Sequence, residues 1–383
     1  MFDSFRGFDL RPRQERIRRA MNLIPPRSAD DIPVIAHTPC YFGFGCKRMP
    51  EAYWQDPAVM LAFQQDGYEQ HLKTVNDDVV PYFMPWFGTG VLASAFGCPM
   101  REAGGNGDDP AVLGVAISEP EDVAKLKKPD PFRDGWMPRV IRFMEYAARH
   151  GEMPVGPTDL NSPLCTAAQL VGYDKLFYWM YDEENAVDDL MSLITETFID
   201  WVRLQKEITG EAIDMSNGLQ GVWTPRGGVW LSDDDLVSVG PELYERFVLP
   251  HYQRIFAEFG GGHLHYCGVG THQIENILKI PQLTAVNNSA MGNAEAFTRL
   301  AQALSGKLAI EIQDVAPVTP DSYYEKIFAN IHDFTGIMVA TFVEDDLGMD
   351  DAGRTIAVSR PAVENANQVV RAVRAAAAKC MQK

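Results

Sequence analysis

The stretch GGHLHYCG (residues 261–268) carries two histidines and a cysteine at alternate positions, His263, His265 and Cys267. In a β-strand, alternate side chains point to the same face. Leu264 and Tyr266 then face the other way, where apolar side chains suit packing against helices. The pattern therefore predicts a strand with one apolar face and one face of metal-binding or reactive groups.

Further apolar runs of strand length flank this stretch, and longer patterns of helical periodicity separate them. The predicted strands are 32–36, 78–84, 153–156, 212–216, 263–268, 283–288, 308–313 and 336–343. Eight strands alternating with helices predict an α/β fold, a single (β/α)8 TIM barrel, although a doubly wound sheet alternates in the same way. We expect residues 1–30 to form an N-terminal helical extension and residues 31–383 the catalytic barrel. The Gly- and Pro-rich stretch 85–131 predicts a long loop after the second strand.

Composition narrows the class of protein. The 383 residues carry a net charge of −18, which disfavours binding to nucleic acid or to anionic membranes. No apolar run reaches the length of a transmembrane helix, and the N-terminus lacks the apolar core of a signal peptide. The six cysteines show no disulfide spacing. We therefore expect a cytoplasmic protein with reduced thiols.

In a barrel, the polar face of the His-x-His-x-Cys strand would point inward, with Cys267 nearest the carboxyl-terminal mouth. Imidazole and thiolate are typical zinc ligands, and His265 and Cys267 are close enough in sequence to share one ion. Catalytic zinc usually has a third protein ligand. Glu344, just after the last predicted strand, is the first candidate and Glu311 the second. An interior histidine beside an ordinary buried cysteine would give the same pattern.

Other residues near predicted strand ends are candidates for substrate binding and catalysis. Aromatic side chains suit a planar substrate, and Asn287 could donate or accept a hydrogen bond. Asp159 is a candidate general acid or base, and Arg226 a candidate partner for a carboxylate. Core packing, a helix cap and an exposed loop arginine are the alternatives for these residues. The aromatic candidates are Tyr82, Phe83, Trp86, Phe87, Trp223 and Trp230.

Several segments, in this order, resemble the uroporphyrinogen decarboxylase superfamily. They are RQERIRRAMN (13–22), DDIPVI (30–35), GPTDLNSPLCTAAQLVGYDKLFYWMYDEENAVDDLM (156–191), LSDDDLVSVGPELYERFVLPHYQRIFAEF (231–259), HYCG (265–268) and PAVENANQVVRAV (361–373). The likeness runs over most of the chain and implies a single barrel.

This superfamily includes two chemistries. True uroporphyrinogen decarboxylases hold substrate carboxylates with an Arg-Gln-Ala-Gly-Arg stretch, whereas the matching place here, HTPCYFGFGCKRMPEAYW (37–54), offers Lys47 and Arg48. Cobamide-dependent methyltransferases bind zinc through a His-x-Cys and a later cysteine. His265 and Cys267 match the first pair, while MVATFVEDDLGMD (338–350) has no cysteine and offers Glu344 in its place.

The resemblance therefore implies a methyltransferase that moves a methyl group between a small substrate and the cobalt of a corrinoid. An aromatic methyl ether is a candidate substrate, so that the reaction would be an O-demethylation, with zinc as the Lewis acid. The sequence has no corrinoid-binding segment of the Asp-x-His-x-x-Gly type, so we expect a partner protein to supply the cobamide. The resemblance also implies a homodimer. The alternative is a metal-free decarboxylase or lyase for a small carboxylate, which would use Asp159 and Arg226.

Overall fold

The computed structural model describes residues 2–39, 41, 49–104 and 109–382. Six parallel strands form the central sheet, in the order β1-β6-β5-β4-β3-β2. Their bounds are β1 Val34–His37, β2 Val229–Ser232, β3 Gly262–His265, β4 Leu283–Asn288, β5 Ala309–Val315 and β6 Ile337–Phe342. Almost every residue of these strands is buried, as expected for parallel strands covered on both faces.

Two extended segments connect the edges of this sheet and complete a ring of eight. The Asp78 amide donates to the Val34 carbonyl (2.7 Å), next to β1. Phe83 bridges Val155 in parallel, and Asn161 bridges Ser232 at the end of β2. The predicted (β/α)8 barrel is therefore confirmed, with the second and third predicted strands present as these extended segments.

Helices surround the ring, and many begin with proline, whose missing N–H is not needed in a first helical turn. The longest, Glu184–Thr209, ends at Gly210 in the left-handed conformation. The α-helices are Arg11–Met21, Pro57–Thr74, Val91–Ala95, Pro120–Val123, Met137–His150, Pro163–Val171, Tyr173–Asp182, Glu184–Thr209, Pro241–Phe247, Leu249–Glu258, Ile274–Leu278, Ala294–Leu304, Pro320–Phe328 and Ala362–Met381. None of the helices in the described part of the chain combines the length and apolar character needed to cross a bilayer.

Short antiparallel pairs and 3-10 turns complete the described elements. The 3-10 turns are Ala29–Asp31, Asp234–Ser238 and Thr271–Gln273. The pairs are Ser4–Phe5 with Phe8–Asp9, Met100–Arg101 with Ala111–Val112, Ser216–Leu219 with Val222–Thr224, and Leu347–Met349 with Thr355–Ala357. The long segment after the second predicted strand thus contains local structure within residues 85–131.

The fourth predicted strand, 212–216, is wrong. This part of the chain leads into a β-hairpin, Ser216–Leu219 and Val222–Thr224, called the inner hairpin below, and the barrel strand is β2. Its turn places Gln220 and Gly221 at positive φ (46° and 93°), as tight hairpin turns require. The Gly221 amide donates to the Tyr82 hydroxyl (2.7 Å), and a Cβ atom on Gly221 would lie 2.1 Å from His37. The hairpin therefore fills space inside the ring.

Candidate metal centre

Three potential metal ligands meet at the carboxyl-terminal mouth of the barrel: Asp234, His265 and Cys267. One ligand atom from each lies within 4.8 Å of the others. His265 Nε2 is 3.5 Å from Cys267 Sγ and 3.5 Å from Asp234 Oδ1. In the described part of the chain, no other group of three His, Cys, Asp or Glu side chains meets this spacing. Asp234 and Cys267 are exposed, so the group is open to solvent on one side.

The strand register brings these residues together. Ser232, the last residue of β2, pairs with His265, the last residue of β3. The Asp233 amide donates to the His265 carbonyl (2.8 Å), and the Cys267 amide donates to Asp234 Oδ1 (2.8 Å). These bonds join the residues after β2 to those after β3, so that Asp234 and Cys267 face the same imidazole.

Asp233 holds the segment after β2 in place through buried hydrogen bonds. Its buried carboxylate accepts hydrogen bonds from Ser162 Oγ (3.1 Å) and the Tyr244 hydroxyl (2.9 Å). Burial raises the pKa of Asp233 to about 7, because the effect of burial is larger than the lowering effect of the hydroxyl groups that donate to this carboxylate. The acidic run 233–235 lies at the start of the 3-10 helix Asp234–Ser238, where Asp233 is buried and Asp234 is close to His265.

Across the barrel interior, a chain of polar contacts runs from His265 into the core. His265 Nδ1 lies 2.5 Å from Asn287 Oδ1, and Asn287 Nδ2 donates to Glu311 Oε1 (2.6 Å). Glu311 Oε2 lies 3.6 Å from His263 Nδ1. Asn287, Glu311 and His263 are fully buried, so neither Glu311 nor His263 lies at the open mouth.

The local charges favour an ionised pair at the mouth. Burial lowers the pKa of His265, but hydrogen bonds with Asp234 and Cys267 outweigh it and raise that pKa well above its ordinary value. Burial works against the ionised form of Asp234, yet the bond with His265 holds its pKa below the ordinary value. Because a bound metal would replace the Nε2 proton, the same negative groups that attract this proton would attract a cation.

Asp159 lies near the metal-ligand group, and Trp230 is a neighbour of both. The Trp230 ring stacks on the His265 ring (centroids 5.4 Å apart, planes at 18°), and Trp230 and Asp159 line one small cavity. The Gln220 side chain, from the tip of the inner hairpin, donates to Asp159 Oδ1. Asp159 Oδ2 is buried and has no hydrogen-bond partner among the described residues. Burial raises the pKa of Asp159 to about 7.

The aromatic residues predicted after the second strand are all buried and have different neighbours. Tyr82 contacts the tip of the inner hairpin, and Phe83 lies in the bridge to Val155. Trp86 donates from Nε1 to Asp109 Oδ1 (2.9 Å). Phe87 packs edge to face against Phe143 of an outer helix, with ring centroids 4.9 Å apart. Tyr82 therefore connects the second segment of the ring to the inner hairpin.

Three predicted site residues lie apart from the metal-ligand group. Trp223 and Arg226 precede β2, at the amino-terminal ends of the strands, where Arg18 lies over the Trp223 ring (5.6 Å) and Arg226 is exposed. Both were predicted near a strand end, but the fourth strand of the ring is β2, which follows them in the chain. Glu344 starts a turn bridged to Leu347 and is not part of the group. Lys47 and Arg48 lie outside the described residues.

Sequence reasoning missed Asp234 and Gln220. The signal for Asp234 was available in VWLS (229–232), an apolar run directly before the acidic residues. Identifying it as the strand beside GHLH would have placed the acidic run 233–235, which contains Asp234, close to His265. Gln220 had no comparable signal, because its role depends on how deeply the inner hairpin inserts into the ring.

Comparison with known proteins gives three findings. The family model described as Uroporphyrinogen decarboxylase (URO-D) matches residues 70–309. A protein of Nocardia farcinica (strain IFM 10152) named "Uroporphyrinogen decarboxylase" is 24% identical over 196 residues, which are 48% of this chain and 50% of that protein. The match thus spans half the length of that curated relative. A solved structure, "methyltransferase from Methanosarcina mazei", is similar in fold, with a TM-score of 0.65 and 16% identity over 96% of this chain and 98% of that one.

Proposed function

The chain belongs to the uroporphyrinogen decarboxylase (URO-D) family, and we propose that it is a zinc-dependent methyltransferase of the corrinoid-using kind. The observation that carries the proposal is the meeting of His265, Cys267 and Asp234 at the barrel mouth. The fold shared with a methyltransferase supports it. The proposed reaction moves a methyl group between a small substrate and the cobalt of a corrinoid.

The three side chains fit zinc by chemistry and by arrangement. Imidazole, thiolate and carboxylate are all zinc ligands, and catalytic zinc sites combine three protein ligands with one open position. The exposure of Cys267 and Asp234 supplies that open side. When bound, zinc would supply Lewis-acid polarisation of a substrate atom. Asp234 replaces Glu344 as the proposed third ligand.

The chain's own residues suggest which substrates suit this site. With one thiolate among three ligands, the ion would be more electrophilic than in a site with two cysteines, which favours an oxygen leaving group over sulfur. Trp230, stacked on His265, offers an apolar surface beside the ligands. A small methyl ether, such as an aromatic one, therefore fits the proposal best.

Asp159 is the proposed proton donor to the oxygen that loses its methyl group. Asp159 lines a small cavity with Trp230, one of its carboxyl oxygens has no hydrogen-bond partner among the described residues, and its pKa of about 7 allows it to hold a proton near neutral pH. The bond from Gln220 fixes the other carboxyl oxygen, so the side chain has one orientation.

The corrinoid is proposed to come from a partner protein, because the sequence lacks a corrinoid-binding segment of the Asp-x-His-x-x-Gly type. The alternative of a metal-free decarboxylase is supported by the name of the Nocardia relative. That alternative required Asp159 and Arg226 in one site. Since Arg226 is exposed at the amino-terminal ends of the strands, Asp159 lacks this partner, and we prefer the methyltransferase.

Zinc content per chain tests the proposal, measured by elemental analysis on protein purified without chelator. We expect about one zinc in the wild type and in Glu344→Ala, and a clear loss in Cys267→Ala and Asp234→Ala. Glu344→Ala is the matched control, because it removes a carboxylate that lies outside the group. A wild type that binds no zinc, even after zinc is added, would refute the metal site.

Methyl transfer is the second test. The wild type with zinc should methylate free cob(I)alamin from a methoxy-aromatic probe such as 2-methoxyphenol, followed by the change in cobalamin absorbance. Cys267→Ala should abolish this transfer. Release of carbon dioxide from a small aromatic carboxylate without metal would instead support the decarboxylase.

A further inference from the structure

We infer that Glu311 is a positioning residue for the metal centre, and that it acts through Asn287 to keep a hydrogen on His265 Nδ1 and leave Nε2 for the metal. This inference rests on the proposed function, because it assigns a purpose to His265 as a ligand. It also reassigns Asn287, which was predicted from sequence to bind substrate.

The contacts that carry the inference lie on three adjacent strands at one register level. His265 of β3 pairs with Asn287 of β4, which pairs with Glu311 of β5. The side-chain contacts follow the same path, 2.5 Å from His265 Nδ1 to Asn287 Oδ1 and 2.6 Å from Asn287 Nδ2 to Glu311 Oε1. Parallel pairing holds the three Cα atoms in a row, so the order of contacts is built into the sheet.

Hydrogen-bond chemistry then fixes the orientation of the Asn287 amide. A carboxylate oxygen accepts hydrogen bonds and cannot donate them, so Glu311 selects the NH2 side of Asn287. The carbonyl side therefore faces His265. A carbonyl oxygen also only accepts, so Nδ1 must carry the hydrogen. The reverse orientation would set the amide oxygen against the carboxylate of Glu311.

This arrangement leaves His265 Nε2 facing Asp234 and Cys267, the side on which a metal would bind. A ligating histidine usually donates its other ring N–H to an oxygen, which fixes the ring and its tautomer. Asn287 fills that place, and Glu311 determines which way Asn287 points. Without Glu311, the amide could turn and present NH2 to Nδ1, which would move the hydrogen to Nε2.

The burial of the Glu311 carboxyl group is unfavourable in free energy, which indicates a role beyond packing. Its side chain is fully buried, and among the described residues its second oxygen has no hydrogen-bond partner, with His263 Nδ1 at 3.6 Å. Burying a carboxyl group with incomplete hydrogen bonding is unfavourable, and an apolar side chain would avoid this cost. The neighbouring Ile310 and Ile312, on the other face of β5, are buried without this desolvation cost because their side chains are apolar.

The test uses the full chain labelled with ¹⁵N-histidine, with and without zinc. In the wild type we expect a slowly exchanging proton on His265 Nδ1 in both states, assigned by its loss in His265→Gln. Glu311→Gln, whose amide can pair with either side of Asn287, should weaken or lose this proton. Its zinc affinity, measured by competition with a chromophoric chelator, should fall about 10- to 100-fold. Glu325→Gln, an exposed carboxylate on an outer helix, should change neither quantity.

A double-mutant cycle separates positioning from general destabilisation. Asn287→Leu should lower zinc affinity about as much as Glu311→Gln, and Glu311→Gln in the Asn287→Leu background should add less than about twofold. Losses that multiply would overturn the inference. So would a wild-type chain whose His265 carries its hydrogen on Nε2 with Nδ1 bare, a result that needs no variant to fold. If the wild type binds no zinc while the Nδ1 proton still depends on Glu311, the control of the His265 hydrogen by Glu311 stands and the proposed zinc-dependent function fails.

Discussion

The buried carboxyl group of Asp159 should make the free energy of unfolding depend on pH. The side chain is 6% exposed, and its carboxyl has one oxygen bonded by Gln220 and one without a partner among the described residues. Burial raises the pKa of Asp159 from an ordinary 3.8 to about 7 in the folded chain. The protonated form is therefore favoured by folding, and the ionised form is disfavoured.

Proton linkage gives the direction and the size of this pH dependence. Between about pH 4 and pH 7, the folded state binds more protons at Asp159 than the unfolded state, so the free energy of unfolding falls as pH rises. Each pKa unit corresponds to about 1.4 kcal/mol, which gives a total of about 4 kcal/mol. The contribution is complete below about pH 4 and is lost above about pH 7, with roughly 3 kcal/mol lost between pH 5 and pH 8.

Urea unfolding of chelator-treated wild type and Asp159→Asn, at pH 5 and pH 8, measures this effect. The asparagine keeps the oxygen that accepts from Gln220 and cannot ionise, so the variant should lose roughly 3 kcal/mol less than the wild type over this range. Other titrating groups are common to both proteins and cancel in the difference. Asp189→Asn, an exposed carboxylate in an outer helix, should follow the wild type. A wild-type-minus-variant difference that is the same at both pH values would refute the burial argument.

Two further predictions concern the inner hairpin. Gly221→Ala should lower the free energy of unfolding, measured by urea denaturation, by about 2–5 kcal/mol, because φ is +93° and the new Cβ would lie 2.1 Å from His37. Gly306→Ala is the control, because Gly306 has a φ of +68° but no atom within 4 Å of the new Cβ. It should lower the free energy of unfolding by only about 1 kcal/mol. Lys206→Met should cost about 3–5 kcal/mol in the same assay, because it leaves Glu211 buried without its partner at 2.5 Å, and adding Glu211→Gln should recover part of the loss.

Much of the barrel could be predicted because buried parallel strands are continuous apolar runs. The run 283–288 was predicted with the bounds that β4 has. The exception, AIDMS (212–216), has a strand-like composition but follows the buried ion pair of Lys206 and Glu211, and Glu211 also accepts hydrogen bonds from Ser216 and Asn217 at the start of the inner hairpin. The true strand, β2, was hidden because Ser232 before three acids is typical of a helix start.

The candidate site was only partly visible in the sequence because tertiary contacts decide the role of each acid. His265 and Cys267 were identified from period-2 spacing, which is local. Asp233, Asp234 and Asp235 are equivalent in sequence, yet a 3-10 turn rotates successive side chains by about 120°, so that one is exposed beside His265 and two are buried. No local pattern distinguishes these three positions.

The inner hairpin explains how the proposed acid and the proposed ligands come to face one another. Its tip contacts His37, Tyr82 and Asp159, which belong to the first three segments of the ring, whereas the ligands follow β2 and β3. Trp230 is a neighbour of both, because its ring stacks on His265 and it lines a cavity together with Asp159. A substrate that binds the proposed metal would lie on the exposed side of the ligands. Because the hairpin occupies the ring below, approach must come from the carboxyl-terminal mouth, where Cys267 and Asp234 are exposed.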